Sequence, residues 1–527
     1  MAVLTAVLTV ASFPPYQAPA FAYVCLVPGI FWAYLNPPLK VFALTMGLAQ
    51  AVAWTVILGW LHHVSWFGLF LLGPFVGVWV GLWYVAAWWV MPRMLGKATP
   101  VRLVGLLGLA GAWVVVEWTR YWLLSGFPWL PLAASQWERP SILQVASFTG
   151  SGGVSFVLVS ANIGFAAYAH RLFREGESGL KKRSQEFFLA LFLLLACLCI
   201  HIRETFGRNR TTLPLGHIAL VQPAIPQEVK WNPARGADIA RVLQDTTLAA
   251  AASRPDLIVW PESTTPWAVR GDDRMKLFVG SLAAKARAPM LLGSDSIENL
   301  GKPDERWYNA AFVMTAAGEL TLPGYAKRKL VPFGEYIPFR ALLGWITKFV
   351  PIGGDFTPGA SDAPLVVTLR QGAVGFGVLI CYEDVYSDLA VASVKSGADV
   401  LAVLSNDAWF GTTGGEAYQH AASSVLRAVE TRRPVIRCGN EGWSGWIDEF
   451  GGIRGVVAHD DGGIYFRGAA TFPVTCDARW VGRHSFYVDH GDWFVGVSAC
   501  LAAFAALLVG LGGIVPQAAD TSANAGE

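Results

Sequence analysis

The chain has 527 residues, of which 54% are hydrophobic and only 15% charged, with a mean hydropathy of +0.43. Soluble globular proteins carry nearer a quarter of their residues charged, so an ordinary soluble enzyme along the whole length is excluded. A formal net charge of +2 argues neither for nor against a nucleic-acid partner, and none is expected.

The charge deficit is concentrated at the front, where charges are sparse and the first Asp is Asp238. A membrane span needs roughly 20 mostly apolar residues. On that criterion spans are predicted near 2–13, 18–36, 40–61, 66–91, 101–124, 141–169 and 186–203, with one more near 493–514. The first is short, but it has no basic segment before it and no small-residue cleavage site after it, so it is not read as a signal peptide. With the N-terminus inside, Lys40, then Arg93, Lys97 and Arg102, then Arg171, Arg174 and Lys181 to Arg183 fall in inside loops. The outside loops hold Phe13-Pro14-Pro15, His62-His63 and 126–138, with Arg139 alone. This positive-inside pattern places residues 205–490 outside the cytoplasm. The expected organisation is therefore membrane helices over 1–204, an exported domain over 205–490, a last span over 491–514 and a small, polar, disordered tail over 515–527. Glu117 and Arg120, three apart near the outer end of the fifth span, are positioned either to pair with each other or to hold the 126–129 loop or a lipid headgroup.

The exported segment alternates short Val/Ile/Leu-rich runs with helical patterns. Strands are predicted at His217 to Val221, Leu257 to Trp260, Met290 to Gly293, Trp307 to Met314, Leu365 to Leu369, Val374 to Cys381, Val400 to Ser405 and Val435 to Cys438. Helices are predicted at Ala237 to Ala252, Arg274 to Ala288, Leu389 to Gly397 and Glu416 to Thr431. Strands apolar on both faces imply an α/β domain with covered sheets. Such domains put their chemistry at the C-terminal ends of strands, where Glu262, Cys381 and Asn406-Asp407 fall.

A carboxylate, an amine and a thiol at Glu262, Lys327 and Cys381 suggest a base-activated thiol nucleophile with a cation beside the developing oxyanion. Singly, each has an ordinary reading: a packed core cysteine, a loop glutamate, a surface lysine. Of the other cysteines, Cys25, Cys197, Cys199 and Cys500 lie in predicted spans, and Cys438 and Cys476 share the exported domain with Cys381. That odd number leaves at least one without a partner in the domain, and no spacing suggests a zinc site.

The local contexts resemble a known family. Trp260-Pro261-Glu262-Ser263, Tyr325 to Glu335 and Ile380-Cys381-Tyr382-Glu383-Asp384 resemble the signature elements of the nitrilase (carbon–nitrogen hydrolase) superfamily. Their combination with a multi-span region is similar to the apolipoprotein N-acyltransferase family. Phe13-Pro14-Pro15, Gly126-Phe127-Pro128-Trp129, Gln222-Pro223, Lys230-Trp231, Phe356-Thr357-Pro358-Gly359, Ser405 to Gly411 and Gly491-Asp492-Trp493 extend the resemblance over nearly the whole chain. It implies a four-layer αββα sandwich on a bundle of about eight membrane helices. It further implies Glu262 as general base, Lys327 as oxyanion cation, Cys381 as nucleophile and Glu335 as a second carboxylate. Tyr382 and Glu383 would flank the nucleophile, Trp231 would sit on a loop at the acyl-chain entrance, and Asn406 and Ser444 would support the site. The segment Arg437 to Ser444 departs from the family pattern at Glu441 and Trp443.

The reaction so implied moves a fatty acyl group from a phospholipid to the amine of an S-diacylglyceryl cysteine on an apolipoprotein, by ping-pong, with no metal or organic cofactor. The alternative is a membrane-anchored amidase that uses the same three residues and water. The number of spans disfavours it, since anchoring needs only one. A transporter would show repeated, interrupted spans, and a non-catalytic binder would not keep all three groups.

Overall fold

The computed structural model describes residues 1–174, 184–230, 232–345, 355–413 and 415–511. Trp231, the basic loop 175–183 and the tail from 512 lie outside the described residues.

Helices α1 (Ala2–Ala11), α2 (Val27–Tyr34), α3 (Leu39–Ile57), α4 (Trp66–Met94), α5 (Thr99–Thr119), α6 (Ser151–Arg174) and α7 (Gln185–Thr205) precede the α/β domain, and a last helix, Trp493–Gly510, follows it. Six of these, α3 to α7 and the last, are long and apolar enough to cross a membrane. At 1.5 Å per residue, α1 rises about 15 Å, half of the ~30 Å hydrocarbon thickness. The stretch 18–36 is likewise divided, into a 3₁₀ turn, Pro19–Tyr23, and α2. The expected span 141–169 begins later, because Gly150 at φ +68° ends a run of short turns and α6 starts at Ser151. Small residues set the helix contacts. A Cβ on Gly77 of α4 would lie 2.3 Å from Gln50 O of α3, and one on Gly111 of α5 would lie 2.5 Å from Ser498 O of the last helix. Membrane helices approach closely only at such positions.

The α/β domain holds two six-stranded sheets. The first contains β1 (Thr212–Gln222), β2 (Leu257–Trp260), β3 (Met290–Glu298), β4 (Arg306–Met314) and β5 (Leu320–Ala326). The second contains β6 (Leu365–Leu369), β7 (Gly372–Ile380), β8 (Val400–Ser405), β9 (Val435–Gly439), β10 (Gly445–Ile447) and β11 (Ile453–Val456). β12 (Gly468–Asp477) returns to pair antiparallel with β1, giving the order β12-β1-β2-β3-β4-β5 against β11-β10-β9-β8-β7-β6. β1–β2–β3 and β7–β8–β9 are parallel, so their C-terminal ends share one edge of each sheet.

Period-two alternation assigns the layers. Ile218, Leu220, Leu257 and Val259 of the first sheet pack against Phe376, Val378, Ala402 and Leu404 of the second, forming the inner core. Ala219, Val221, Ile258 and Trp260 turn outward onto α8 (Gly236–Ala251) and α9 (Asp273–Ala286). On the other side Leu379, Leu401 and Val403 meet α10 (Ser387–Lys395) and α11 (Glu416–Thr431). The result is the αββα sandwich. That second helix layer shares its apolar core with the membrane helices, including Trp83, Leu109 and Leu158. Polar ties cross the same boundary: Arg432 donates to Gln144 Oε1 at 2.6 Å and to Ser147 Oγ at 2.9 Å, and Ser151 N donates to Glu430 Oε1 at 2.8 Å.

Candidate active site

Three strand ends converge. Glu262 lies two residues past β2, Lys327 directly follows β5 and Cys381 directly follows β7. All three are buried. Lys327 Nζ donates to Glu335 Oε1 at 2.9 Å and to Glu262 Oε1 at 3.3 Å. Asn309 on β4 bridges the same two carboxylates, its Nδ2 lying 2.7 Å from Glu262 Oε1 and 2.9 Å from Glu335 Oε1. Glu335 Oε2 accepts from Val331 N at 2.8 Å, which ties it into its own turn. Burial alone would lower the Lys327 pKa, but the Glu335 and Glu262 charges outweigh it and raise the pKa above the ordinary value, so the ammonium persists at neutral pH. Lys327 is itself held by backbone bonds, its N to Asn309 O and its O from Gly359 N, both 2.8 Å. A Cβ on Gly359 would lie 2.2 Å from Ala326 O, so only glycine allows this approach.

Cys381 turns sharply out of β7 at φ +50°, in the left-handed region that costs a non-glycine residue roughly 1–2 kcal/mol. Glu383 holds the turn. Its Oε2 accepts from Ile380 N and Tyr325 Oη, both at 2.7 Å, and its Oε1 from Arg328 N at 2.6 Å and Lys329 N at 3.0 Å. One buried carboxylate thus fastens the Cys381 turn to the Lys327 loop. The Cys381 thiol is pushed up to about 12, first by burial and then by the Glu262 charge, against the opposing pull of Lys327.

Tyr382 and Tyr386 both donate to Gly126 O at 3.2 Å, and Phe127 stacks on Tyr382 at 6.4 Å. Glu117 and Arg120 hold this same loop. Leu132 N donates to Glu117 Oε1 at 2.6 Å, while Arg120 donates to Phe127 O and Trp129 O. Among the described residues no ion pair joins Glu117 to Arg120. Asn406 Nδ2 donates to Gln227 Oε1 at 3.1 Å. Ser444 Oγ donates to Gln222 Oε1 at 2.8 Å and accepts from Gly439 N at 3.0 Å, so its bonds tie β1 to β9 and not to Glu262, Lys327 or Cys381. Trp443 is buried beside Trp137, lining a cavity of about 620 Å³ that neither Glu262, Lys327 nor Cys381 borders. All seven cysteines are free, and Cys438 Sγ points at Val221 O and Val259 O between the sheets.

Sequence reasoning did not single out Asn309, Lys230 or Asp295 as site residues. Asn309 is one polar residue inside the apolar run Trp307 to Met314, a position that demands a partner. Lys230 Nζ donates to Glu262 O at 3.2 Å, and burial pulls its pKa down to about 8. Asp295 accepts from Ser263 Oγ at 2.8 Å, and burial raises its pKa to about 6.

Two family models match. Residues 5–164 match the apolipoprotein N-acyltransferase N-terminal domain, and residues 217–490 match carbon–nitrogen hydrolase. The apolipoprotein N-acyltransferase of Geobacter metallireducens is 31% identical over 96% of this chain and 94% of its own length. The chain belongs to the apolipoprotein N-acyltransferase family. The enzyme of that name from Pseudomonas syringae pv. tomato is 32% identical over 73% of this chain and 72% of its own. Among solved structures, a variant of the Nesterenkonia AN1 amidase from the nitrilase superfamily covers 54% of this chain and 97% of its own, with 16% identity and a TM-score of 0.38.

Proposed function

We propose that this protein transfers a fatty acyl group from a phospholipid, through a thioester on Cys381, to the N-terminal amine of an S-diacylglyceryl cysteine on an apolipoprotein. As a member of its family it is an acyltransferase. The observation that carries the finer reading is the seat of the nucleophile. Tyr382, next to Cys381, bonds to the Gly126 carbonyl of a loop that follows a membrane-length helix. A thiol held there meets lipid esters at the junction of the two domains, whereas an amidase for small soluble substrates gains nothing from that seat.

The chemistry follows from the charges. A thiol pushed up to about 12 is neutral at physiological pH, so its proton must leave as the sulfur attacks. Glu262 takes that proton while Cys381 Sγ bonds to the ester carbonyl carbon. Lys327 Nζ stabilises the tetrahedral oxyanion, and Glu335 and Asn309 hold both groups in place. Collapse expels the glycerol oxygen, which takes the proton back from Glu262 and leaves the thioester. In the second half the lipoprotein amine attacks the thioester carbonyl and gives its proton to Glu262. The thiolate leaves and is reprotonated by Glu262, and an amide has replaced the ester. Donor product departs before acceptor reacts, which is ping-pong order. The loop charges support a site on the outer side of the bacterial cytoplasmic membrane, within reach of both lipid substrates.

Intact-mass measurement after incubation with phospholipid tests the reading. A hydroxylamine-labile fatty-acyl adduct is expected, absent in Cys381→Ala. Hydrolysis of small amides with no adduct on the native protein would give the site to an anchored amidase.

A further inference from the structure

Behind the nucleophile lies a buried polar cluster that the mechanism above does not use. His420 on α11 points its Nε2 at Cys381 O, 3.1 Å away, and at Asp384 Oδ1, 2.9 Å away. Both are acceptors, so Nε2 must carry a proton and donate whatever the charge on the ring. On the other side of the ring Nδ1 faces Arg437 Nη2 at 2.7 Å, Asp407 Oδ1 at 3.3 Å and Glu416 Oε1 at 3.3 Å. Asp407, Glu416 and His420 have the spacing of metal ligands. Arg437 already supplies the cation there, with Nη2 3.1 Å from Asp407 Oδ2 and Nη1 3.0 Å from Asp384 Oδ2. Ser405 and Ser424 close the cluster, each donating at 2.5 Å, to Asp407 and Asp384 respectively.

The neighbouring residue faces the membrane domain. Gln419 Nε2 donates to Pro14 O and Ile57 O, both 2.9 Å, and Gln419 Oε1 accepts from Trp60 Nε1 at 3.0 Å and Trp129 Nε1 at 2.9 Å. Its amide therefore gathers three separate stretches of the membrane region. One residue on, the imidazole grips the carbonyl of the strained nucleophile. We propose that His420 is a positioning residue for Cys381, and that Gln419 registers it against the membrane-side loops, so that the seating of the α/β domain on the helix bundle sets the attack geometry of the thiol. This deepens the acyl-transfer reading and rests on it for its lipid substrate.

The test compares His420→Ala, His420→Gln and His420→Asn in the full-length detergent-solubilised protein. A glutamine amide reaches to about where Nε2 lies and can donate to Cys381 O, while an asparagine amide is one methylene short. Two readouts are taken: single-turnover formation of the Cys381 thioester from phospholipid, and the pH profile of Cys381 alkylation by iodoacetamide, located by peptide mass. Misplacing a reacting group by about 1 Å costs about 100-fold. His420→Ala and His420→Asn are expected to slow acylation about 100-fold at unchanged donor KM, with His420→Gln within about 10-fold of native. The alkylation midpoint should rise in all three variants, because each removes the His420 charge that draws the Cys381 thiol down. An unmoved midpoint in His420→Ala, or an equal loss in Gln and Ala, overturns the proposal. Absence of thioester on the native protein defeats the acyl-transfer reading instead, and the alkylation arm still decides the role of His420. Should His420→Ala not fold, the Trp60→Phe/Trp129→Phe double variant removes both donors to Gln419 Oε1. Slower acylation at unchanged KM then supports the proposal, and an unchanged rate overturns it.

Discussion

Removing the charge of Lys327 separates its two duties. Its ammonium lies 2.9 Å from Glu335 and 3.3 Å from Glu262, in a setting where it is only 1% exposed. At an effective dielectric of about 20, those separations correspond to gross attractions of about 6 and about 5 kcal/mol. Much of that offsets desolvation, so Lys327→Met should cost the net amount seen when one partner of a buried ionic cluster is deleted, about 3–5 kcal/mol. Loss of the oxyanion donor should separately slow thioester formation by about 100- to 1000-fold. The second variant, Lys327→Met/Glu335→Gln, no longer buries two unbalanced carboxylates. It should recover much of the lost thermal stability while acylation stays as slow as in the single variant. Thermal unfolding in detergent and single-turnover mass spectrometry read the two effects. Thioester formation by Lys327→Met within tenfold of native would refute the oxyanion role. A double variant no more stable than the single one would refute the electrostatic account of the cluster. The sign with pH follows from the raised lysine pKa: its stabilisation is complete below the unfolded value of about 10.4 and is lost as pH rises past it.

Glu262→Gln removes a negative charge that disfavours the thiolate, so the alkylation midpoint of Cys381 should drop below its native position near 12; an unmoved midpoint would show that the two groups do not interact. Glu383→Gln turns an amide N–H₂ toward backbone N–H donors and should cost about 3 kcal/mol of stability, seen as a lower unfolding temperature with acylation falling alongside; a native melting curve would contradict the turn-holding role. Arg120→Met frees the Phe127 and Trp129 carbonyls, and limited proteolysis should then cut within 126–132, where the native protein resists.

Glu262 and Cys381 stood out in the sequence because each follows an apolar strand, whereas Lys327 follows the weakly patterned β5 and stood out only by its local motif. The central strands were legible as apolar runs. β5 and β12 were not, since each is an exposed or half-exposed strand carrying a proline, Pro323 and Pro473, which weakens the strand pattern. Asn309 was hidden by distance along the chain. Its partners Glu262 and Glu335 lie 47 and 26 residues away, and only the folded sheet brings them onto one amide. His420 was hidden differently. All residues of α11 but Tyr418 are buried, Gln419, His420, Ser424, Arg427 and Glu430 included. A polar helix face predicts contact with water; here it meets other protein groups.

That inversion explains why so many spans accompany one catalytic domain. In an αββα sandwich the two outer helix layers normally end at solvent. Here α8 and α9 do so, carrying exposed residues such as Leu248 and Leu277, while α11 ends against the loops of the membrane bundle. Cys381 follows β7 of the second sheet, beneath that covered layer. Its neighbours Tyr382 and Tyr386 bond to Gly126, and the cluster behind it is closed by α11, which is bonded in turn to loops at Pro14, Ile57 and Trp129. An α/β domain cut away from the bundle would expose those buried polar groups together with the apolar core they share. The membrane helices therefore do more than anchor the chemistry: they complete the structural layer that holds Cys381 in its strained turn.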